Sequence, residues 1–351
     1  MTVKLGKVLF VRLSAMGDVI NCLPALRLLK KACPSARVTW AVEEPSAGLL
    51  RGDPDIDDIF LVRRREWTTG LLNTDNIASF GAAFAGLRRR QFDVAIDFQG
   101  NLRSGVVTIG SGARLRVGFS PGRVKEHAHV FYTKHVFLPK SPMHRIEKNL
   151  VLLEALGIKP EVLPADLKTA PDDGLAIGIY LKEKRLDGKK LVVVHPGVSR
   201  FGAFKQWRPE GFAEIARRLL RRRNTGVIVS WGPGERALAD RIVEMTGGKA
   251  VRGPQPGGLK DLAYLLERSA LFVGCDTGPL HLAVAVGTPA VAIFGPKDPS
   301  IYGPVGGRNI VVRREVECSP CNRRACPDPK CMKLITEDEV YEACLELLRK
   351  S

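Results

Sequence analysis

The chain has 351 residues, a length that suggests roughly two domains, and 45% of them are hydrophobic, ample for packed cores. A net charge of +17 calls for anionic partners (nucleic acid, an acidic membrane surface or a phosphorylated substrate) or else marks a solvated basic face. The longest apolar run, around 283–294, holds Gly287 and Pro289 and falls short of the roughly 20 residues of a membrane helix.

The N-terminus enters a strand directly, without a charged region, apolar region and cleavage site, so no signal peptide is expected. The strand candidate at 7–13 turns through Ser14-Ala15-Met16-Gly17 and ends on Asp18, a carboxylate where an α/β fold usually cradles phosphate. Val19, Leu23, Leu26 and Leu29 then recur at helical spacing. Pro24 either kinks that helix or lies in the first turn of one beginning near Leu23. Asp18 alone also fits a plain helix N-cap. Further strand candidates are 37–42, 59–62 and 92–97. The mouths at 92–105 and 121–132 carry Asp97, Gln99, Arg103, Arg123, Lys125 and Glu126, a set suited to an anionic, hydroxyl-rich ligand. No G-x-G-x-x-G or P-loop pattern occurs in this half.

A stretch rich in Pro, Asp, Gly and Lys follows, and the linker is placed near 162–185. The second half repeats the rhythm with strand candidates at 190–195, 227–231, 271–274, 290–294 and 310–313, and helical patterns at 212–222 and 259–266. His195-Pro196-Gly197 closes the first of these strands, and Ser199, Arg200 and Lys205 sit in the loop after it, able to neutralise a diphosphate or simply to face solvent. Glu235, at a helix start, suits ribose hydroxyls or is a favourable first-turn acid. The segment 271–298 is the most informative. A buried strand ends in Asp276-Thr277-Gly278-Pro279, whose free amides at a helix start would bind phosphate, with His281 one turn in. The plain alternative makes Asp276 an N-cap and His281 a core residue.

Cys22, Cys33, Cys275 and Cys344 lie among apolar residues and read as reduced core cysteines. Cys318, Cys321, Cys326 and Cys331 cluster within CSPCNRRACPDPKC, which fits a structural Zn²⁺ or Fe–S site, a local disulfide or reduced loop thiols. Residues 336–349 begin with a capping box, Thr336-x-x-Glu339, and should form a docked helix. The arginine triplets at 63–65, 88–90 and 221–223 lack interleaved aromatics, and no RRM, KH or zinc-finger signature occurs. Nucleic acid is therefore the poorer fit.

The fold class is α/β: two doubly wound, Rossmann-like domains, 1–165 and 186–335, followed by a C-terminal helix, 336–351, with a cleft at the carboxyl ends of both sheets. SAMGD (14–18) with LPAL (23–26), VEE (42–44), DFQGNLRSG (97–105), HPG…KQWRPE (195–210), GCDTGPLHLA (274–283), FGPKDP (294–299) and the cysteine tail with ITEDEV resemble glycosyltransferase family 9, the ADP-heptose:lipopolysaccharide heptosyltransferases. The resemblance spans almost the whole chain in the family's order. It implies a GT-B fold and inverting transfer of L-glycero-D-manno-heptose from ADP-heptose to the Kdo/heptose inner core of lipopolysaccharide. It further implies that no metal or other cofactor takes part in catalysis and that the enzyme is peripheral on the cytoplasmic face of an anionic inner membrane.

By the same resemblance Asp18 falls on the catalytic base and Lys205 on the lysine that contacts the donor phosphate. Asp276, Thr277, Gly278 and His281 fall on the donor loop and helix start, with Ser199 beside them, and Glu235 on the acid that holds the ribose. Ser14, Gly17, Gln99, Arg103, Arg123, Lys125 and Glu126 lie on the acceptor side. Ala15 stands where some members have a second Ser, and Gly197-Val198 where some have hydroxyl residues. Two alternatives remain: a nucleotide-sugar epimerase on the same architecture, and a cysteine-metal protein that binds nucleic acid.

Overall fold

The computed structural model describes residues 5–64, 74–139, 142–169, 174–255, 257–321, 323 and 325–349. The chain divides into two compact units, Met1–Ala165 and Asp166–Ser351.

The first unit is built on six parallel strands: β1 (Lys7–Val11), β2 (Arg37–Glu43), β3 (Asp58–Val62), β4 (Val94–Asp97), β5 (Leu115–Phe119) and β6 (Lys134–Val136), in the order β3-β2-β1-β4-β5-β6. Val8, Leu9, Phe10 and Val11 of β1 are all buried, as expected for a central parallel strand covered on both faces. On one face Phe10 packs against Trp40 and Phe98, with ring centroids 5.4 and 4.8 Å away. The helices are α1 (Met16–Ile20), α2 (Leu23–Ala32), α3 (Glu44–Leu50), α4 (Thr74–Arg89), α5 (Leu102–Gly110) and α6 (Arg145–Val151). Pro24 sits in the first turn of α2, where its missing N–H costs nothing, so the chain makes two helices rather than one kinked one.

β5 and β6 were not anticipated. Arg116 interrupts the apolar run of β5, and its side chain is taken up by the carbonyls of Phe131 at 2.7 Å and Ala113 at 2.8 Å. The edge strand β6 is only three residues long.

The second unit has the order β12-β11-β10-β7-β8-β9, again all parallel. Its elements are α7 (Leu175–Glu183), β7 (Lys190–His195), α8 (Pro209–Leu220), β8 (Thr225–Val229), α9 (Arg236–Met245), β9 (Val251–Arg252), α10 (Leu259–Glu267), β10 (Leu271–Cys275), α11 (Gly278–Ala285), β11 (Ala290–Phe294), α12 (Pro299–Tyr302), β12 (Asn309–Arg313), α13 (Lys330–Lys333) and α14 (Glu337–Arg349). Much of the expected linker belongs to this unit. The Leu167 N–H donates to the Ala285 carbonyl at 3.0 Å, and α7 packs on α10 with Ile177 and Leu181 buried.

The C-terminal helix α14 opens with the capping box: the Thr336 N–H meets Glu339 Oε2 at 2.9 Å, and the Glu339 N–H meets Thr336 Oγ1 at 3.4 Å. Val340, Cys344, Leu347 and Leu348 bury against β10–β12 and α8. Cys22, Cys33, Cys275 and Cys344 are all buried. Among the described residues no helix is long and apolar enough to cross a membrane.

In each sheet the strand order reverses once, between β1 and β4 and between β7 and β10. Loops leave the carboxyl ends of such a strand pair in opposite directions and open a crevice there.

Candidate active site

At the β1/β4 crevice, Asp18 lies in the first turn of the five-residue α1. It is not a plain N-cap: Ala15 holds that position, and the Asp18 carboxylate pairs with Arg12, Oδ2 to Nη2 at 2.6 Å. Arg12 is buried and also donates from Nη1 to the Phe98 carbonyl at 2.6 Å, which ties the end of β1 to the end of β4. The Asp18 side chain is 37% exposed, so a hydroxyl can still reach it. Gln99 Oε1 accepts the N–H groups of Leu13 and Ser14, at 2.9 and 3.1 Å, and so fixes the turn that carries Ser14, Gly17 and Asp18. Asp97, fully buried, accepts from the N–H groups of Gln99 and Gly100 and from the Tyr132 hydroxyl, at 2.8, 3.0 and 2.8 Å. Burial pushes its carboxyl up, and those hydrogen bonds oppose the shift.

Other expected acceptor-side residues stand around this mouth in partly structural roles. Arg103 Nη1 pairs with Glu43 Oε1 at 2.5 Å, which accounts for the second residue of the VEE segment. Glu126 Oε2 accepts the Leu102 N–H at 3.0 Å, and Arg123 Nη2 donates to the Pro139 carbonyl at 3.0 Å. The Lys125 N–H donates to the carbonyl of Gly100, whose φ of +70° needs glycine.

Three residues escaped sequence reasoning: Arg12, Arg145 and Lys148. Burial, then Arg145, Arg12 and Arg123, push the Lys148 ammonium down to about 8, and only Asp18 opposes them. These four cations and Asp18 therefore share one electrostatic neighbourhood. Lys148 also lies over the Phe119 ring, 4.4 Å from its centroid. The available signals were an arginine inside an apolar strand run and two cations at i, i+3 on α6.

At the β7/β10 crevice, Gly274 of β10 stands beside His195 of β7. Thr277, not Asp276, is the N-cap of α11, and its side chain makes no capping bond. Asp276 instead pairs with Lys205: Nζ lies 2.6 Å from Oδ2 and 3.0 Å from the Asp276 carbonyl. His281 Nε2 faces back to Asp276 Oδ1 at 3.9 Å. A cation is thus held at the mouth of a helix whose first amides, with Gly278 at the first position, carry no side-chain cap. That combination suits a diphosphate.

Glu235 packs against Gly197 and accepts the Gly232 N–H at 2.7 Å. Burial pushes its carboxyl up against that hydrogen bond. Its Oε2 lies 3.6 Å from His195 Nε2, and burial lowers the His195 imidazole to about 4, so His195 is neutral at pH 7. A Cβ at Gly197 would collide with the Glu235 carboxylate as it stands, so glycine leaves that carboxylate its place. Ser199 is exposed and precedes the 3₁₀ turn Arg200–Lys205.

Cys318 and Cys326 are exposed, Cys321 is half-buried, and Cys331 is buried beside Gly295 and Met332. Among the described residues no group of three or more His, Cys, Asp or Glu side chains could hold a metal ion. Burial first, and then the neighbouring Cys321, Cys318 and Cys326, push the Cys331 thiol up, so the four sulfurs share one neighbourhood.

A family model described as glycosyltransferase family 9 (heptosyltransferase) matches residues 81–332. The chain belongs to this family. It is a glycosyltransferase, with the two Rossmann-like units of the GT-B class. It is 26% identical over 304 residues to the lipopolysaccharide core heptosyltransferase OpsX of Haemophilus influenzae, covering 86% of this chain and 82% of that one. It is 27% identical to lipopolysaccharide heptosyltransferase 1 of Pseudomonas aeruginosa, covering 91% and 87%. The fold superposes on E. coli heptosyltransferase WaaC with ADP-2-deoxy-2-fluoro heptose at a TM-score of 0.76 and 24% identity, covering 97% and 99%. A family 9 glycosyltransferase from Veillonella parvula gives 0.84 at 22% identity, covering 100% and 99%. A UDP-N-acetylglucosamine 2-epimerase from Listeria monocytogenes gives 0.53 at 15% identity, a likeness of fold alone. The family match does not favour the epimerase alternative.

Proposed function

We propose that this glycosyltransferase moves L-glycero-D-manno-heptose from ADP-heptose to the Kdo/heptose inner core of lipopolysaccharide, with inversion, at the cytoplasmic face of an anionic inner membrane. The observation that carries the reading is the Lys205–Asp276 pair at the uncapped start of α11. The names of the heptosyltransferase relatives support it.

In this reading the second unit holds the donor. Lys205 and the first amides of α11 take the diphosphate, Thr277 and Ser199 offer hydroxyls, His281 steadies Asp276, and Glu235 takes the ribose. The first unit holds the acceptor. Ser14, Gly17 and Gln99 shape the mouth, while Arg103, Arg123, Lys125 and Glu126 bind the sugar, with Arg145 and Lys148 adding charge for an acidic one. Asp18, oriented by Arg12, takes the proton of the acceptor hydroxyl as its oxygen bonds to the anomeric carbon from the face opposite the leaving group. The bond from that carbon to the phosphate oxygen breaks as the new one forms, which inverts the centre. The charge that develops on ADP falls on Lys205 and the α11 amides, where it is stabilised without help from a metal.

A donor screen by calorimetry tests this. ADP-heptose should bind, and UDP-, GDP- and CMP-sugars should not. Silence with every ADP-linked sugar would remove the donor assignment.

A further inference from the structure

One flank of the first unit remains outside the reaction. Ile77, Phe80 and Phe84 recur at i, i+3 and i+7 on α4, and Ile77 and Phe80 are exposed, at 58% and 37%. Phe84 packs on Gly110 at the end of α5, beside the exposed Ile109. Seven residues earlier on α5, the exposed Leu102 begins the helix at the acceptor mouth, two residues after Gly100. Phe131, from the 3₁₀ turn Ala128–Phe131, packs on Gly105, and its neighbour Val130 is 65% exposed. Apolar side chains thus reach the surface along three successive packed elements.

The same stretch is strongly cationic. Residues 76–139 hold nine Lys and Arg against three acids. Asp97 is buried, Asp93 accepts the Lys7 N–H, and Glu126 accepts the Leu102 N–H. Arg88 and Arg89, in the last turn of α4, and Arg114 are exposed.

We propose that this flank, α4, α5 and the 128–131 turn, docks on an anionic lipid bilayer. Ile77, Phe80, Ile109 and Val130 enter the headgroup boundary, and Arg88, Arg89 and Arg114 meet acidic headgroups. A second copy of the chain would bring this excess of arginines against itself, which disfavours a dimer here. The inference rests on the proposed lipopolysaccharide acceptor, since it places the acceptor mouth, at Leu102, next to the membrane that carries that acceptor.

The test is co-sedimentation of the full chain with phosphatidylcholine vesicles, with and without phosphatidylglycerol. Binding should require phosphatidylglycerol and weaken with salt. Ile77→Ser with Ile109→Ser should weaken it roughly tenfold. Arg88→Gln with Arg89→Gln should weaken it roughly thirtyfold. Both variants should keep wild-type circular dichroism and wild-type transfer to a lipid-free acceptor saccharide. Equal binding to neutral vesicles, or both variants within twofold of wild type, would overturn the proposal. So would a dimer in ultracentrifugation that Ile77→Ser dissociates. Vesicle binding is read without turnover, so loss of transfer with intact binding counts against the proposed reaction and leaves the docking surface standing.

Discussion

Lys205 has two duties that one variant cannot separate and two variants can. Its side chain is 22% exposed and that of Asp276 only 8%, so Lys205→Met strands a nearly buried carboxylate that has the His281 ring nitrogen 3.9 Å from its other oxygen. Breaking a buried pair costs about 3–5 kcal/mol, and the partial exposure of Lys205 brings this to roughly 2–3 kcal/mol. For a unit of this size that is roughly 5–10 °C in Tm. Losing a charged hydrogen bond to phosphate should separately weaken ADP binding by roughly 10- to 150-fold. In the double variant Lys205→Met/Asp276→Asn the stranded charge is gone. Stability, followed by thermal unfolding, should recover most of the loss. ADP affinity, followed by calorimetry, should not recover. If affinity returned together with stability, or if Lys205→Met bound ADP within twofold of wild type, Lys205 would be a structural residue and the phosphate assignment would fail.

Two further outcomes follow from the same contacts. Gly197→Ala should push the Glu235 carboxylate off the Gly232 N–H and cost about 1–3 kcal/mol, read as a lowered denaturant midpoint, and adding Glu235→Ala should restore most of it. Lys148 titrates at about 8 in the folded chain and at 10.5 when unperturbed, so the unfolded chain holds its proton to higher pH. The burden of keeping it charged is therefore fully present below about pH 8 and disappears as the pH rises towards 10.5. Wild type should accordingly gain stability relative to Lys148→Met over that window in urea titrations, and a constant difference from pH 7 to 10 would contradict the placement of Lys148.

The strands legible in the sequence were those whose burial on both faces leaves a continuous apolar run, such as 190–195 and 290–294. β5 and β6 were missed because a strand interrupted by the half-buried Arg116 and a three-residue edge strand carry no such run. The donor-side turn was readable because Asp276-Thr277-Gly278-Pro279 combines a strand end with a first-turn proline. The partner of Asp276 was not, since Lys205 lies 71 residues away and only the β7–β10 pairing brings the two together. Arg12 was passed over because a single charged residue within an apolar run does not by itself show what it pairs with. Its guanidinium bridges Asp18 and the carbonyl of Phe98, which follows β4 far along the chain. The cysteine spacing suggested a local cluster, and the four thiols do share one neighbourhood, with Cys331 buried on α13 and Cys318 and Cys326 at the surface.

The central claim is that Asp18 takes the proton while the other unit holds the donor. Single-turnover transfer with Asp18→Asn, an isostere whose amide oxygen can still meet Arg12, tests it most directly. The rate should fall by roughly 10²–10⁴ while ADP-heptose affinity stays within twofold of wild type. A rate within threefold of wild type, or a loss confined to donor affinity, would contradict it.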